Sequence, residues 1–303
     1  MAVTLSNAFI QQYNDNLDHL CQQMGSKLRN YVSVERVKGK TAFFDQIGVS
    51  TAAPKGSKNP ATVAPSTAPN SYHLGTPVMD TPFNRRKVDL ATWNWGDLID
   101  NDDKVRMLID PTSDVARSGA MAMGRAIDQI ILTAATATAY TGETGSTSVS
   151  FPSAQIVDSG ATSVFNLDKL LEIKTLMDAG DVPEEERVIA IQAADLKNLL
   201  KETKVTSTDY ASVKALVNGQ IDTFMGFKFI RVANSVWTAA GYSANEAVAF
   251  QKNGIKLAIG QDMISHIDVR NDLCYATQVY SEMTLGATRM QEAMVVKAVS
   301  AAS

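Results

Sequence analysis

The sequence has few of the residues on which most enzyme and metal chemistry depends. Its 303 residues include three histidines (His19, His73 and His266) and two cysteines (Cys21 and Cys274). The histidines lie in separate regions, and no HExxH or CxxC motif occurs, so we expect no zinc or iron site. Both cysteines are expected to be small buried apolar residues, although a cysteine paired with a distant histidine stays open. We therefore expect no catalytic, metal-binding or cofactor-binding residues, and no enzymatic activity.

Long apolar runs and a positive net charge are also absent. No stretch of about 18 apolar residues occurs, and the first cation is Lys27, so the sequence predicts neither a membrane helix nor a signal peptide. We expect a soluble protein that is synthesised in a reducing cytoplasm. Hydrophobic residues make up 45% of the chain and the net charge is -4, which excludes a disordered chain and a globally basic nucleic-acid-binding protein.

Charge is unevenly distributed along the chain. Residues 27–87 carry a net charge of +7, whereas residues 88–110 carry -4. Neighbouring segments of opposite sign suit a basic arm that lies on the acidic surface of another copy, although salt screens such attraction. A solvated basic face explains the pattern equally well. The triplet Arg85-Arg86-Lys87 indicates at most sequence-independent contact with phosphate groups, or pairing with nearby acids.

Hydrophobic periodicity predicts an α+β chain without internal repeats. Residues 6–28 have the pattern of an amphipathic helix with a narrow apolar stripe, which either docks on a surface or forms the edge of a domain. Two β-like stretches, 32–50 and 79–95, flank residues 51–77, which hold five of the nine prolines. This arrangement predicts a long β-hairpin with a projecting Pro-rich tip, or else a linker between two domains.

A helix of nearly thirty residues is predicted after Asp110-Pro111, which supply a cap and a first-turn proline, and it extends to about Ala139. Small residues, including Gly119 and Gly124, would let other elements approach it closely. A partly polar strip along it is formed by Arg117, Met121, Arg125 and Asp128. The Gly/Thr/Ser stretch 141–150 predicts a turn. The remaining predicted elements are helices over 166–180, 193–202 and 210–217, and strands over 188–191, 227–232, 248–250, 255–259, 264–269, 275–285 and 294–299.

A group of acids precedes the long helix. These acids could gather a divalent cation, but they lack the spacing and the glycine of an EF-hand loop. Salt bridges and helix caps are the favoured roles. The acids are Asp97, Asp100, Asp102, Asp103 and Asp110.

Several stretches together point to one family. They are FIQQYNDNLDHLCQQMGSKLR at 9–29, TAFFDQIG at 41–48, RRKVDL at 85–90, DLIDNDDKVRMLIDPTSD at 97–114, AMGRAIDQIILTAA at 122–135 and YATQVYSEMTLGATRMQE at 275–292. In order and spacing the chain resembles major capsid proteins of tailed bacteriophages, which have the Hong-Kong-97-type fold. The resemblance covers nearly the whole chain and is weakest at 51–77 and 140–165. It departs at Phe83, where members of the family often have a histidine.

The resemblance implies a division of the chain into parts. These parts are an N-terminal arm (1–30), an extended β-hairpin loop (31–96, with its Pro-rich tip at 51–77), a peripheral domain (97–164) with a spine helix (111–139), an axial domain (165–245) and return strands of the peripheral domain (246–303). It also implies self-assembly as pentamers and hexamers into an icosahedral head shell around double-stranded DNA.

Partners and location follow from the same resemblance. Besides other copies of the chain, the expected partners are portal and scaffolding proteins, with decoration proteins left open. Contact with the packaged DNA would be independent of its sequence, and no membrane is involved. The expected location is the virion. Another phage structural protein, such as a tail-tube or decoration protein, is the alternative, followed by an enzyme that acts on a small ligand.

Two sets of residues complete the expectations. Lys55, Lys58 and Asn59 lie in the loop tip, but no acceptor motif matches them, so no covalent cross-link between subunits is expected. A second set is expected to form ion pairs at the hairpin base or between subunits. Its members are Arg85, Arg86, Asp97, Asp100, Asp103 and Arg106.

Overall fold

The computed structural model describes residues 21–50, 81–102, 112–158, 160–201, 223–243 and 245–301. Within these ranges the chain forms three β-sheets and four α-helices. The helices are α1 (Thr112–Thr136), α2 (Leu167–Ala179), α3 (Ala193–Leu200) and α4 (Asn234–Ala239). The strands are β1 (Ser33–Arg36), β2 (Thr41–Ile47), β3 (Phe83–Asp89), β4 (Ala91–Ile99), β5 (Ala139–Thr141), β6 (Thr147–Val149), β7 (Ile156–Val157), β8 (Arg187–Ile191), β9 (Thr223–Phe224), β10 (Phe227–Arg231), β11 (Glu246–Gln251), β12 (Ile255–Arg270), β13 (Ala276–Arg289) and β14 (Val295–Val299).

The first sheet has the strand order β1-β12-β13-β4 and carries the long helix α1 on one face. Its centre is the antiparallel pair β12 and β13, of 16 and 14 residues. The close approach of α1 depends on Gly119, because a Cβ atom there would lie 2.4 Å from the Trp95 ring. Met123, Ile127 and Ile131 of α1 belong to the same buried apolar cluster as residues of β12 and β13.

The second sheet has six strands in the order β7-β14-β11-β8-β10-β9. Its central strands β8 and β11 are buried at every position, as expected when both faces are covered. One face contributes Val188 and Val248 to the cluster that contains α1. The opposite face contributes Ile189 and Ala249 to a second cluster with α2. The side chain of Asn166 caps α2, as predicted, by accepting a hydrogen bond from the backbone N–H of Lys169.

The third sheet, β2-β3-β5-β6, is built on an antiparallel hairpin. In its register Thr41 lies opposite Asp89 and Ile47 lies opposite Phe83. The end of the hairpin nearer to Thr41 and Asp89, here called the hairpin root, packs Phe44 and Val88 into a small cluster with Ala258 and Met290. The predicted turn between β5 and β6 is confirmed, with Gly142 and Gly145 at positive φ.

Several expectations need correction. Residues 21–28, predicted as the end of a helix, are irregular, because Gly25 has φ +69° and the backbone N–H groups of Lys27 and Leu28 donate to Asp128 of α1. Both cysteines are exposed rather than buried. The two strands predicted over 255–259 and 264–269 form one strand, β12, with register shifts between Ile259 and Ile264.

Other expectations are matched or lie outside the described ranges. The long helix ends at Thr136, three residues before the predicted end, because strand β5 begins at Ala139. The short helix α4 was not expected. Residues 6–20, 51–77 and 210–217 lie outside the described residues. In the described part of the chain, none of the helices combines the length and apolarity needed to cross a membrane. The division into arm, loop and two domains stays a prediction.

Candidate functional site

The hairpin root is held by a buried arginine. Arg86 of β3 is 7% exposed, and its Nη2 lies 2.6 Å from Oε1 of Glu292, just beyond β13. Its Nε also donates to the backbone oxygen of Met290 at 3.0 Å. A buried arginine is tolerated only when its charge is paired and hydrogen-bonded, so this contact is a specific anchor for the hairpin.

A second buried arginine shares the same carboxylate. Nε of Arg289 lies 3.8 Å from Oε1 of Glu292, and Nη1 donates to the backbone oxygens of Ala135 and Ala137 at 3.0 and 2.8 Å. Burial lowers the pKa of the Arg289 guanidinium, an effect that the charge of Glu292 opposes. Strand β13, the carboxyl end of α1 and the hairpin are therefore tied together by two cations and one anion.

The outward face of the hairpin mixes exposed charges with exposed apolar side chains. Nε of Arg85 lies 3.2 Å from Oδ1 of Asp45, which is its direct partner across β2 and β3. Two cross-strand pairs further along, Ile47 and Phe83 are 68% and 73% exposed. These four residues, together with Asn84, Gly142 and Glu143, line a groove of about 570 Å³. Apolar side chains this exposed are typical of a contact surface rather than of a core.

The six predicted ion-pair residues fall in different places. Arg85 and Arg86 pair within the chain, with Asp45 and Glu292, as described above. Asp97 is exposed at the end of β4 and accepts a hydrogen bond from the backbone N–H of Leu98. Asp100 is also exposed. Asp103 and Arg106 lie outside the described residues, and any contacts between subunits stay a prediction.

The end of the first sheet that is remote from β1 is a second exposed surface, here called the distal sheet. It comprises β12 from Asp262 onward, the facing half of β13 and the end of β4. Strand β1 pairs only with residues 256–259, so within the described ranges β12 has no partner on that side beyond Ile259. Its exposed apolar side chains are Leu98, Met263, Ile264, Ile267 and Val269, and the turn that joins β12 to β13 adds Leu273 and Tyr275. A long apolar edge strand of this kind favours pairing with another chain.

A third polar cluster lies beside the second sheet. Lys169 of α2 is 3% exposed, and its Nζ lies 2.9 Å from Oδ2 of Asp158. Hydrogen bonds from Lys169 and from Thr162 hold the pKa of the Asp158 carboxyl well below its ordinary value. Nearby, burial raises the pKa of Asp195 to about 6, and the charge of Lys169 partly offsets this effect. Lys169 and Asp195 are buried and their partners lie within the chain or at its partly exposed edge, so this cluster bears on stability.

The described residues offer no group of three or more His, Cys, Asp or Glu side chains that could hold a metal ion. Two features of the candidate surfaces had no signal in the sequence. The carboxylate of Glu292 is about 200 positions from Arg86, and the apolar residues of β12 beyond Asp262 are interspersed with polar ones in a way that does not distinguish them from a buried strand. In the sequence, the only indication of the hairpin root was the basic triplet Arg85-Arg86-Lys87 followed by the acidic segment 88–110.

Comparison with known proteins gives a consistent result. A family model described as phage capsid protein matches residues 5–300. No curated protein matches the chain. Among solved structures, the capsid of the cyanophage P-SCSP1u is 14% identical with a TM-score of 0.72, covering 100% of this chain and 96% of that one.

Two further structures are similar over nearly their whole length. The head of Helicobacter pylori bacteriophage KHP40 is 9% identical with a TM-score of 0.69, covering 100% of this chain and 98% of that one. The capsid asymmetric unit of cyanophage Pam1 is 14% identical with a TM-score of 0.67, covering 98% of each chain. At these identities the similarity shows a shared fold. The α+β class predicted from hydrophobic periodicity and the phage-capsid fold that the resemblance implies are thereby confirmed.

Proposed function

Because the chain belongs to the phage capsid protein family, and is therefore a structural protein of the virion that forms the head shell, we propose that its copies associate as pentamers and hexamers. These rings would close into an icosahedral shell around double-stranded DNA. Their contacts would be heterologous, with one surface of each copy meeting a different surface of the next, as ring closure requires. Portal and scaffolding proteins would complete the particle, and the packaged DNA would be contacted without regard to its sequence.

The observation that carries this proposal is the pair of exposed apolar surfaces on one protomer. The hairpin presents Ile47 and Phe83 at its outer face, and the distal sheet presents Ile267, Val269 and Tyr275. Monomeric soluble proteins rarely expose contiguous apolar surface without a partner. Two separate surfaces, rather than one that could match itself, are what a head-to-tail contact between copies needs.

Charge supports the same pairing of surfaces. On the flank of the hairpin root the exposed charges are basic, with Lys38 and Lys40, whereas Arg85, Arg86 and Lys87 pair with acids of the same chain. The distal sheet and the end of β4 are mainly acidic. Complementary charges steer two surfaces together and fix their register more than they add affinity. Acids at the distal sheet are Asp97, Asp100, Asp102, Asp268, Asp272 and Glu282.

Expression of the full chain, alone and with a scaffolding protein, tests the proposal. Negative-stain electron microscopy and sedimentation should show capsomer-sized rings or closed polyhedral particles. A monomer or dimer under every condition would contradict it. Open tubes or trimers would instead support the alternative that the chain forms a tail tube or decorates a head.

A variant tests the role of the hairpin. Ile47→Lys with Phe83→Asp places an oppositely charged cross-strand pair on two exposed positions, so the protomer should fold with a nearly unchanged melting temperature. We expect at least a tenfold loss of assembled particles. The matched control is Thr175→Asp, which adds a carboxylate to the exposed side of α2 and should leave assembly unchanged. Normal assembly of the double variant would contradict the role given to the hairpin.

A further inference from the structure

Residues 21–28, here called the arm base, lie in close contact with helix α1. Nη1 of Arg125 donates to the side-chain oxygen of Gln22 at 2.6 Å. Gly124 permits the approach, because a Cβ atom at that position would lie 2.5 Å from the Cα atom of Gly25. Contact is therefore made by the backbone of the arm base itself, with no side chain between the two elements.

Asp128, on the next turn of α1, is the main acceptor for this segment. Its side chain is completely buried. Oδ1 accepts hydrogen bonds from Oγ of Ser26 and from the backbone N–H of Leu28, at 2.5 and 3.0 Å. Oδ2 accepts from Nε2 of Gln23 and from the backbone N–H of Lys27, at 2.5 and 2.9 Å. All four donors belong to the arm base.

No described cation forms a salt bridge with this buried carboxylate. The Lys27 ammonium group donates instead to the backbone oxygen of Arg231, at 2.8 Å. Gln23 extends the connection, because its side-chain oxygen accepts a hydrogen bond from the backbone N–H of Ala233 at 3.0 Å. A buried carboxylate without a cation is tolerated only when donors surround it, so Asp128 and the arm base depend on each other.

The contact is also directional. Apolar contacts tolerate sliding, whereas hydrogen bonds to two carboxylate oxygens fix one register of the chain. Asp128 receives donors from both ends of the arm base, from Gln23 and from Leu28, while Gly25 packs on Gly124 between them, so the segment is held along its length. Met24 is 62% exposed, so the arm base is held chiefly by polar contacts and by the buried Leu28.

We propose that Asp128 is a positioning residue for assembly, which holds residues 21–28 in one register against α1 so that the protomer presents this part of its surface to a neighbouring copy in a fixed geometry. This proposal rests on the proposed function for the meaning of the neighbouring copy. The set of hydrogen bonds between Asp128 and the arm base, here called the clasp, is a property of the single chain. The clasp can therefore be tested on unassembled protein, and its effect on assembly can be tested separately.

Asp128→Asn tests the clasp on unassembled protein. The amide nitrogen of asparagine would face N–H donors of the arm base, so the hydrogen bonds to one side of the group are lost while its shape is kept. Hydrogen exchange at the amides of Lys27 and Leu28, and trypsin cleavage after Lys27 and Arg29, should accelerate at least tenfold. Amides in the core strands β8 and β11 should exchange at an unchanged rate. Glu172→Gln, which removes an exposed carboxylate on α2, should change neither.

Ser26→Ala provides a second variant, should Asp128→Asn fail to fold. It removes one donor to Asp128 from the arm side and should accelerate the same exchange by a smaller factor. Unchanged protection of residues 26–28 in either folded variant would overturn the proposal. Equal acceleration in the arm base and in the core strands would overturn it as well, because it would show a general loss of stability instead of a local release.

Assembly supplies the second readout. With a released arm base, particles of the Asp128→Asn variant should be heterogeneous in size or fail to close, while Asp128→Glu, which keeps the carboxylate, should restore part of the yield. Particles of normal size and yield from a variant with a demonstrably released arm base would overturn the positioning role. If wild-type protein forms no particles at all, the proposed function fails, and the exchange experiment still decides whether the clasp exists.

Discussion

Replacement of Glu292 by glutamine should loosen the hairpin root, because two buried arginines depend on this one carboxylate. Arg86 lies 2.6 Å from Oε1 of Glu292, and Arg289 lies 3.8 Å from the same atom. Their side chains are 8% and 0% exposed, whereas that of Glu292 is 28% exposed. Glu292→Gln keeps the shape and one acceptor oxygen but removes the only negative charge of the group.

The magnitude follows from burial. Removal of one partner from a buried ion pair costs about 3–5 kcal/mol, because the remaining charge is left uncompensated. Glu292 is partly exposed and glutamine still accepts one hydrogen bond, so we expect about 2 kcal/mol. For a chain of this size that loss lowers the melting temperature by roughly 3 °C. Asp45→Asn, which breaks the exposed pair with Arg85, should cost no more than about 0.5 kcal/mol.

Urea unfolding of the unassembled protein measures both variants under the same conditions. Hydrogen exchange should also show faster exchange in β2 and β3 for Glu292→Gln than for Asp45→Asn. Equal free energies of unfolding for the two variants would refute the reasoning. That result would mean that the arginines find other partners when the carboxylate is neutralised, and that the carboxylate does not anchor the hairpin.

Two further predictions concern the body of the protomer. Burial raises the pKa of Asp195 to about 6 in the folded chain, above its ordinary value of 3.8, so the folded state holds this proton more tightly than the unfolded state. The stability that the protonated Asp195 carboxyl contributes is therefore lost as the pH rises from about 4 through 6. Over that interval the melting temperature of Asp195→Asn should rise relative to that of wild type, and the difference should persist at pH 7.5. A pH-independent difference between the two proteins would contradict this. Gly119→Ala should lower the free energy of unfolding by about 1–3 kcal/mol, despite the higher helix propensity of alanine, because the new Cβ atom would lie 2.4 Å from the Trp95 ring. Ser118→Ala, its neighbour on α1, is the control, and equal effects of the two changes would refute the steric reason.

Local patterns were sufficient to predict most of the regular elements. Asp110-Pro111 and the apolar spacing after it predicted a helix that the structure places at Thr112–Thr136. Alternating or continuous apolar runs predicted the strands β8, β10, β11, β13 and β14 to within a few residues. These elements satisfy their backbone hydrogen bonds internally or with neighbouring strands, so the signal lies within a short window of sequence.

Contacts between remote residues explain what was missed. Residues 21–28 have helical periodicity, yet Asp128, about a hundred positions away, takes the backbone donors that a helix would have used. The same carboxylate had been read only as part of a polar strip on the long helix. Partners such as Glu292 for Arg86 are likewise set by the packing of β13 against the hairpin, which no local pattern reports.

The arm base and the hairpin are attached to the body of the protomer in the same way, which bears on how a shell can form. Each is fixed by a buried polar group, Asp128 for the arm base and Arg86 with Glu292 for the hairpin. Apolar side chains such as Ile47 and Phe83 are exposed farther out along the hairpin. Weak contacts between copies become strong collectively only if each projection is held at a fixed place, because a mobile projection loses orientation entropy at every contact. The contacts that fix the hairpin to its own protomer must also be more stable than the contact with the neighbouring copy. If the root opened more easily than the interface, a neighbour would draw the hairpin away from its own body, and the lattice would lose its geometry before it closed.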